Sequence, residues 1–262
     1  MESPNPKIEL SERSHRRRLT FFIAFAYGAA LVLCFLGRVP QWLDYHDFAD
    51  KRGWIGIPNA ANVLSNLPFI VVGAVGLWKL RRLAMERLSR WMYATFFVGV
   101  FLTGFGSWYY HANPNNETLV WDRLPLTLAL TSFFSLVIGD RLGAKAGRAV
   151  FAPLVILGII SVWLWRWTDL LGADDLRVYV LVQFFPILGI PMLLFLFPAR
   201  RLPTAPLLWV IGWYGLAKLC ELWDDQIFDL LDGTVSGHTF KHLAAAVGSL
   251  WVVPVMTESR PD

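Results

Sequence analysis

WMYATFFVGVFLTGFGSWYYHANPNNETLVWDRLPLTLALTSFFSLVI, residues 91–138, decides how this chain folds. Two apolar runs, 91–110 and 119–138, flank a short polar turn. Each is long enough to cross a bilayer, since a spanning helix needs ~20 mostly apolar residues. Working outward, further runs of this kind occur at roughly 20–37, 60–78, 149–166, 177–197, 206–226 and 238–256. The chain therefore reads as an all-α, polytopic transmembrane helix bundle of eight spans. The second and eighth are the weakest, because they open on polar residues.

Composition agrees. Of 262 residues, 55% are hydrophobic and only 17% charged, with mean hydropathy +0.46, whereas soluble domains are about a quarter charged. Thirteen Trp and nineteen Phe suit the aromatic belts at membrane boundaries. The net charge of +4 comes from basic residues scattered over short loops, so no nucleic-acid partner is indicated. Cys34 and Cys220 both lie in apolar stretches and imply no disulfide framework. No linker, second domain or internal repeat is evident.

Orientation follows from Lys and Arg. One side carries sixteen: Lys7, Arg13 and Arg16 to Arg18, then Lys79, Arg81, Arg82, Arg87 and Arg90, then Arg141, Lys145, Arg148, Arg200, Arg201 and Arg260. The other carries six, with acidic loops holding Asp44, Asp47, Asp50, Asp169, Asp174, Asp175, Asp229 and Asp232. Both termini are thus expected in the cytoplasm. The first span could instead be a signal peptide behind Arg16–Arg18, but it is long for one and lacks a small-x-small cleavage site. The expected division is a basic tail (1–19), an extra N-terminal helix (20–37), a seven-helix core (38–256) and a short tail (257–262).

This topology gathers chemistry at the outer level. His111 closes one span; His238 and His242 open the last, four residues apart and so on one helix face. Ser107 stands four before His111, and Asp122 opens the next span. Three imidazoles with an open fourth position form a catalytic zinc arrangement. Such a zinc acidifies its water and polarises a carbonyl. Asp122 could move the water's proton to a leaving group, and Ser107 could donate to the developing oxyanion. The competing readings are an interfacial anchor for each His, close helix packing for Ser107 and a helix cap for Asp122. Convergence of three His at membrane depth favours function, because ionisable groups there are scarce. Asn62, Ser65 and Asn66 read first as interhelical hydrogen-bonders and second as support for the site. Lys218, Glu221, Asp224 and Asp225 could line a pocket or pair with one another, Lys218 and Glu221 at i, i+3.

Three stretches, NVLSN (62–66), GSWYYH followed by WDRLP (106–125), and HTFKH (238–242), resemble the alkaline ceramidase family of seven-helix membrane hydrolases. The resemblance covers residues 44 to 256 and leaves the first span as an addition. It implies a zinc site of His111, His238 and His242 with Ser107 and Asp122, and hydrolysis of the amide of a ceramide or related lipid entering from the bilayer. Ceramidases of the eukaryotic type also bind calcium through an acidic stretch before the first core helix and a later Glu. Here that region reads DYHDFADKRGWIGIPN (44–59), with Asn59 in place of the Glu. Asp44, Asp47 and Asp50 still offer hard oxygen ligands suited to Ca2+; an acidic loop serving topology is the other reading. Receptor-like relatives share the zinc geometry, so a sensor without turnover is the alternative function. Short cytoplasmic loops disfavour it, and a transporter would show paired broken helices in repeated halves.

Overall fold

The computed structural model describes residues 6–257, with side chains from Glu12 onward; Lys7 and Arg260 of the orientation argument lie outside the described side chains. Its long helices are α1 (Pro6–Phe35), α4 (Arg87–Ala112), α5 (Asn116–Leu142), α6 (Ala144–Leu170), α7 (Arg177–Leu196) and α8 (Thr204–Leu222). Two further passes are broken: α2 (Ala60–Leu64) with α3 (Leu67–Leu80), and α10 (Gly237–Leu250) with α11 (Val252–Thr257). A short α9 (Asp224–Leu230) follows α8. Among the described residues no strand is present beyond an isolated bridge between Trp54 and Ile57.

Among the described residues six segments are long and apolar enough to cross a membrane: Glu12–Phe35, Ala60–Leu80, Asn116–Leu142, Ala144–Leu170, Arg177–Leu196 and Gly237–Thr257. The remaining two expected spans are helices of 26 and 19 residues, α4 and α8. α4 carries Thr103, Ser107, Tyr109, Tyr110 and His111, and α8 carries Lys218 and Glu221.

Local chemistry sets the breaks. Pro68 lacks an N–H and clashes with the preceding turn, so the pass splits at Ser65 and Asn66. The α4–α5 turn is fixed by Asn115, whose side chain accepts from the Glu117 and Thr118 amides while Thr118 Oγ1 accepts the Asn115 amide. Within α5, Pro125 withdraws the partner of the Trp121 carbonyl. Gly106 of α4 packs against that oxygen so closely that a Cβ would lie 1.9 Å from it. This contact sets Ser107 and His111 beside the first turns of α5.

The main core is aromatic and aliphatic, with Phe96, Phe97, Phe133, Phe134, Val137 and Leu193 at its centre. A smaller cluster of Phe48, Tyr110, Leu119, Val120, Trp165 and Tyr179 closes the His111 end. α1 is peripheral. Phe25 stacks on Phe185 of α7 at 5.7 Å and Arg18 donates to the Leu196 carbonyl at 2.8 Å, while Phe21, Tyr27, Leu31 and Phe35 face outward. It runs through the expected boundary between tail and span without a break.

The segment between α1 and α2 lies across the His111 end. His46 joins Tyr110 Oη and Asn116 Oδ1, both at 2.9 Å. The Gln41 amide donates to Asp174 at 2.6 Å and the Ala49 amide to Asp224 at 3.1 Å. These bonds hold Phe48, 4% exposed, over the site.

Candidate metal centre

His111 ends α4, and His238 and His242 share one face of α10; all three are buried. Ring centroids stand 4.8 Å (His111–His238), 4.7 Å (His111–His242) and 4.9 Å (His238–His242) apart, a nearly equilateral triangle. One nitrogen from each lies within 4.8 Å of the others. Among the described residues this is the group of three His, Cys, Asp or Glu side chains able to hold a metal ion.

The first turn of α10 is placed by Ser236, which accepts the Thr239 amide at 3.2 Å, and by Asp224, which accepts the His238 amide at 2.6 Å. Gly237 is required there, because a Cβ would meet the Cys220 carbonyl at 2.3 Å. The other side of the triangle is held by Asn59. Asparagine tolerates its left-handed backbone (φ 47°), and its side chain donates to the His111 carbonyl at 2.9 Å.

Hydrogen bonding assigns one tautomer. Ser65 donates to the Asn62 carbonyl at 3.0 Å, and its oxygen lies 2.8 Å from His242 Nδ1. The single hydroxyl proton is used on Asn62, so Nδ1 must donate and His242 Nε2 keeps its lone pair. That Nε2 is buried without a partner, as is His111 Nδ1. Nε2 of His111 and Nε2 of His238 are 3.3 Å apart. Zinc with Zn–N bonds of about 2.0–2.1 Å sets tetrahedral ligand nitrogens about 3.3 Å apart. The residues fit a metal of this kind: buried neutral donors, an orphaned lone pair turned inward and a matching edge.

Ser107 and the Asp122 carboxylate are close enough to interact. Both line a cavity of about 70 Å³ with His242, walled further by Tyr45, Phe69, Tyr179, Gln183, Tyr214, Lys218, Glu221 and Lys241. A larger apolar cavity of about 280 Å³ lies between α1, α5, α6 and α7 and touches none of the five expected site residues. Phe48 covers the triad from the loop side, its ring 4.6 Å from those of both His111 and His238.

A family model described as Ceramidase matches residues 56–190, just over half of the chain. The chain belongs to the ceramidase family. Family membership indicates an amidohydrolase acting on ceramide-type lipids. No curated protein matches the chain. The family match takes in Ser107, His111 and Asp122 but stops before His238 and His242, which the fold itself brings to them.

The four calcium candidates of this ceramidase-family chain are not gathered. Asp50 is buried and clamped by Arg52 at 2.7 and 2.8 Å; that side-chain hydrogen bonding holds its carboxyl below the usual carboxylate value. Asp47 pairs with Lys51, Asn59 serves His111, and Asp44 sits in a 3-10 turn over Leu43–His46. Sequence reasoning missed Phe48 as a cover and Lys241 as a wall of the cavity, and put Ser65 second as support for the site. An aromatic within an acidic loop and a lysine inside HTFKH were the available signals.

Proposed function

We propose that this chain is a zinc-dependent amide hydrolase that cleaves ceramide or a related long-chain lipid amide to a fatty acid and a sphingoid base or amine. The grouping of three buried imidazoles, one of which (His242) shares a cavity with Ser107 and Asp122, carries the reading. Zinc on His111, His238 and His242 would supply Lewis acidity and a water acidified to a pKa of about 7.

The chain's own residues do the rest. Asp122 takes the proton of the attacking water as oxygen adds to the amide carbon, then delivers it to the nitrogen as the C–N bond breaks. Ser107 aims Asp122 while the carboxylate is ionised. Once Asp122 is protonated, the Ser107 hydroxyl is free to donate to the carbonyl oxygen as negative charge builds there. Phe48 screens the triad from solvent, which strengthens these interactions. The cavity holds the polar part of the substrate only, so the chains extend along the apolar helices into the bilayer. We place the site at the non-cytoplasmic face, on the Lys and Arg asymmetry of the loops.

Asp122→Asn tests the assignment. It spares every proposed ligand, so the variant should hold zinc like the parent while fatty-acid release falls about 10²–10⁴-fold. Full activity in that variant would refute the role given to Asp122.

A further inference from the structure

Beside the triad, the cavity wall bears charges that the hydrolytic scheme does not use. Glu221 on α8 receives an ammonium on each oxygen: Lys218 at 2.5 Å and Lys241 of α10 at 3.1 Å. These side chains retain 16–29% exposure and line the cavity with Tyr179, Gln183 and Tyr214. Lys218 also sits 5.5 Å over the Phe184 ring.

Two ammonium groups share one carboxylate, so this wall carries a surplus positive charge. Partly buried ions repay their desolvation poorly unless every donor and charge is matched, so helix packing alone gives no reason for the second lysine. A further bond of Lys241 goes to His238 Nε2 at 2.9 Å. That nitrogen has one lone pair and is an atom proposed to hold the metal. A metal there would take this acceptor from Lys241, which already lines the cavity. Asp122 lines the same cavity and balances this charge while the triad is empty; a divalent ion on the triad would more than offset it.

We propose that Lys218, Glu221 and Lys241 form a subsite for an oxyanion group (phosphate, sulfonate or carboxylate) carried on the polar part of the lipid amide. The assignment rests on the hydrolase reading for its choice of substrate, but its test reads binding. An oxyanion supplies both an acceptor for Lys241 and the missing negative charge; the hydroxyls of a neutral head supply only the first. The subsite makes the preferred substrate an acidic lipid amide rather than an uncharged one.

Dodecyl phosphate and dodecan-1-ol serve as probes on the full-length, zinc-loaded protein in neutral detergent, with binding read from the shift in thermal unfolding. Dodecyl phosphate should bind at least tenfold more tightly. Lys218→Met and Lys241→Met each leave Glu221 with one partner, so both variants keep a matched pair and should fold. Each removes the surplus charge and should lose the preference. Equal binding of the two probes, or a preference that survives both substitutions, would overturn the subsite. An equal response to inorganic phosphate would overturn its assignment to a lipid head. Failure of the parent protein to hydrolyse any ceramide would count against the hydrolase reading and leave the binding comparison to decide this one.

Discussion

The triad histidines and the Ser65 that contacts His242 predict different failures. His111→Ala, His238→Ala and His242→Ala should each lose metal and activity together, since three ligands leave none to spare. Ser65 does not line the cavity but lies 2.8 Å from His242 Nδ1. Ser65→Ala removes the acceptor for Nδ1–H and should weaken zinc binding about 10–100-fold, the usual cost of an outer-shell partner. Ser65→Thr keeps the hydroxyl and should restore affinity, measured by zinc competition with a chelator. The ligands were legible because His is rare in this chain and topology sets His111, His238 and His242 at one level. Ser65 was harder to read, since a serine near a helix break serves packing as often as a site. In the loop, Asp50 gives a pH signature. Its carboxyl is held low by Arg52, so the stability it contributes is present above about pH 3.9, the unfolded value. That contribution is lost as pH falls through the folded value. Thermal midpoints taken between pH 6 and 3 should therefore drop less in Asp50→Asn than in the parent.

At the scale of elements, the α4–α5 pair does most to place the chemistry. Gly106 against the Trp121 carbonyl allows Ser107 to reach Asp122 across the two helices. Gly106→Ala should cost about 1–3 kcal/mol by overpacking and lower activity beyond that loss, because the two helices must part at the site. Thermal unfolding and turnover measured on the same preparation separate the two effects. The apolar runs predicted these helices well: α5 and α7 fall close to their expected bounds. Where the reading failed, proline or polarity explains it. Pro68 breaks the second span, and Ser65 at the break lies against His242 Nδ1. The run 206–226 ends at Leu222, and Asp224 is drawn away to hold the His238 and Ala49 amides. The path of residues 36–59 was not legible at all. It depends on partners far along the chain, such as Tyr110, Asn116, Asp174 and Asp224, which no local pattern encodes.

Over the whole molecule, the bundle keeps its chemistry at one end, beneath a loop pinned by hydrogen bonds, with α1 applied to one side. α1 packs on α7 and contributes nothing to the triad or its cavity. A chain lacking residues 1–30 should keep zinc and turnover if the division into extra helix and core is right. A loss of zinc would make α1 part of the core. The proposed orientation is tested by single cysteines in a background without Cys34 and Cys220. Asp47→Cys should react with a membrane-impermeant reagent from outside, and Lys145→Cys only after the membrane is opened. The central claim, amide hydrolysis by zinc on three histidines, is tested most directly by zinc titration. Metal-stripped protein would be titrated with zinc while fatty-acid release from a ceramide is followed, alongside His238→Ala. The account predicts that release rises to a plateau at about one zinc per chain and stays absent in the variant. Release that is independent of zinc, or undiminished in His238→Ala, would contradict it.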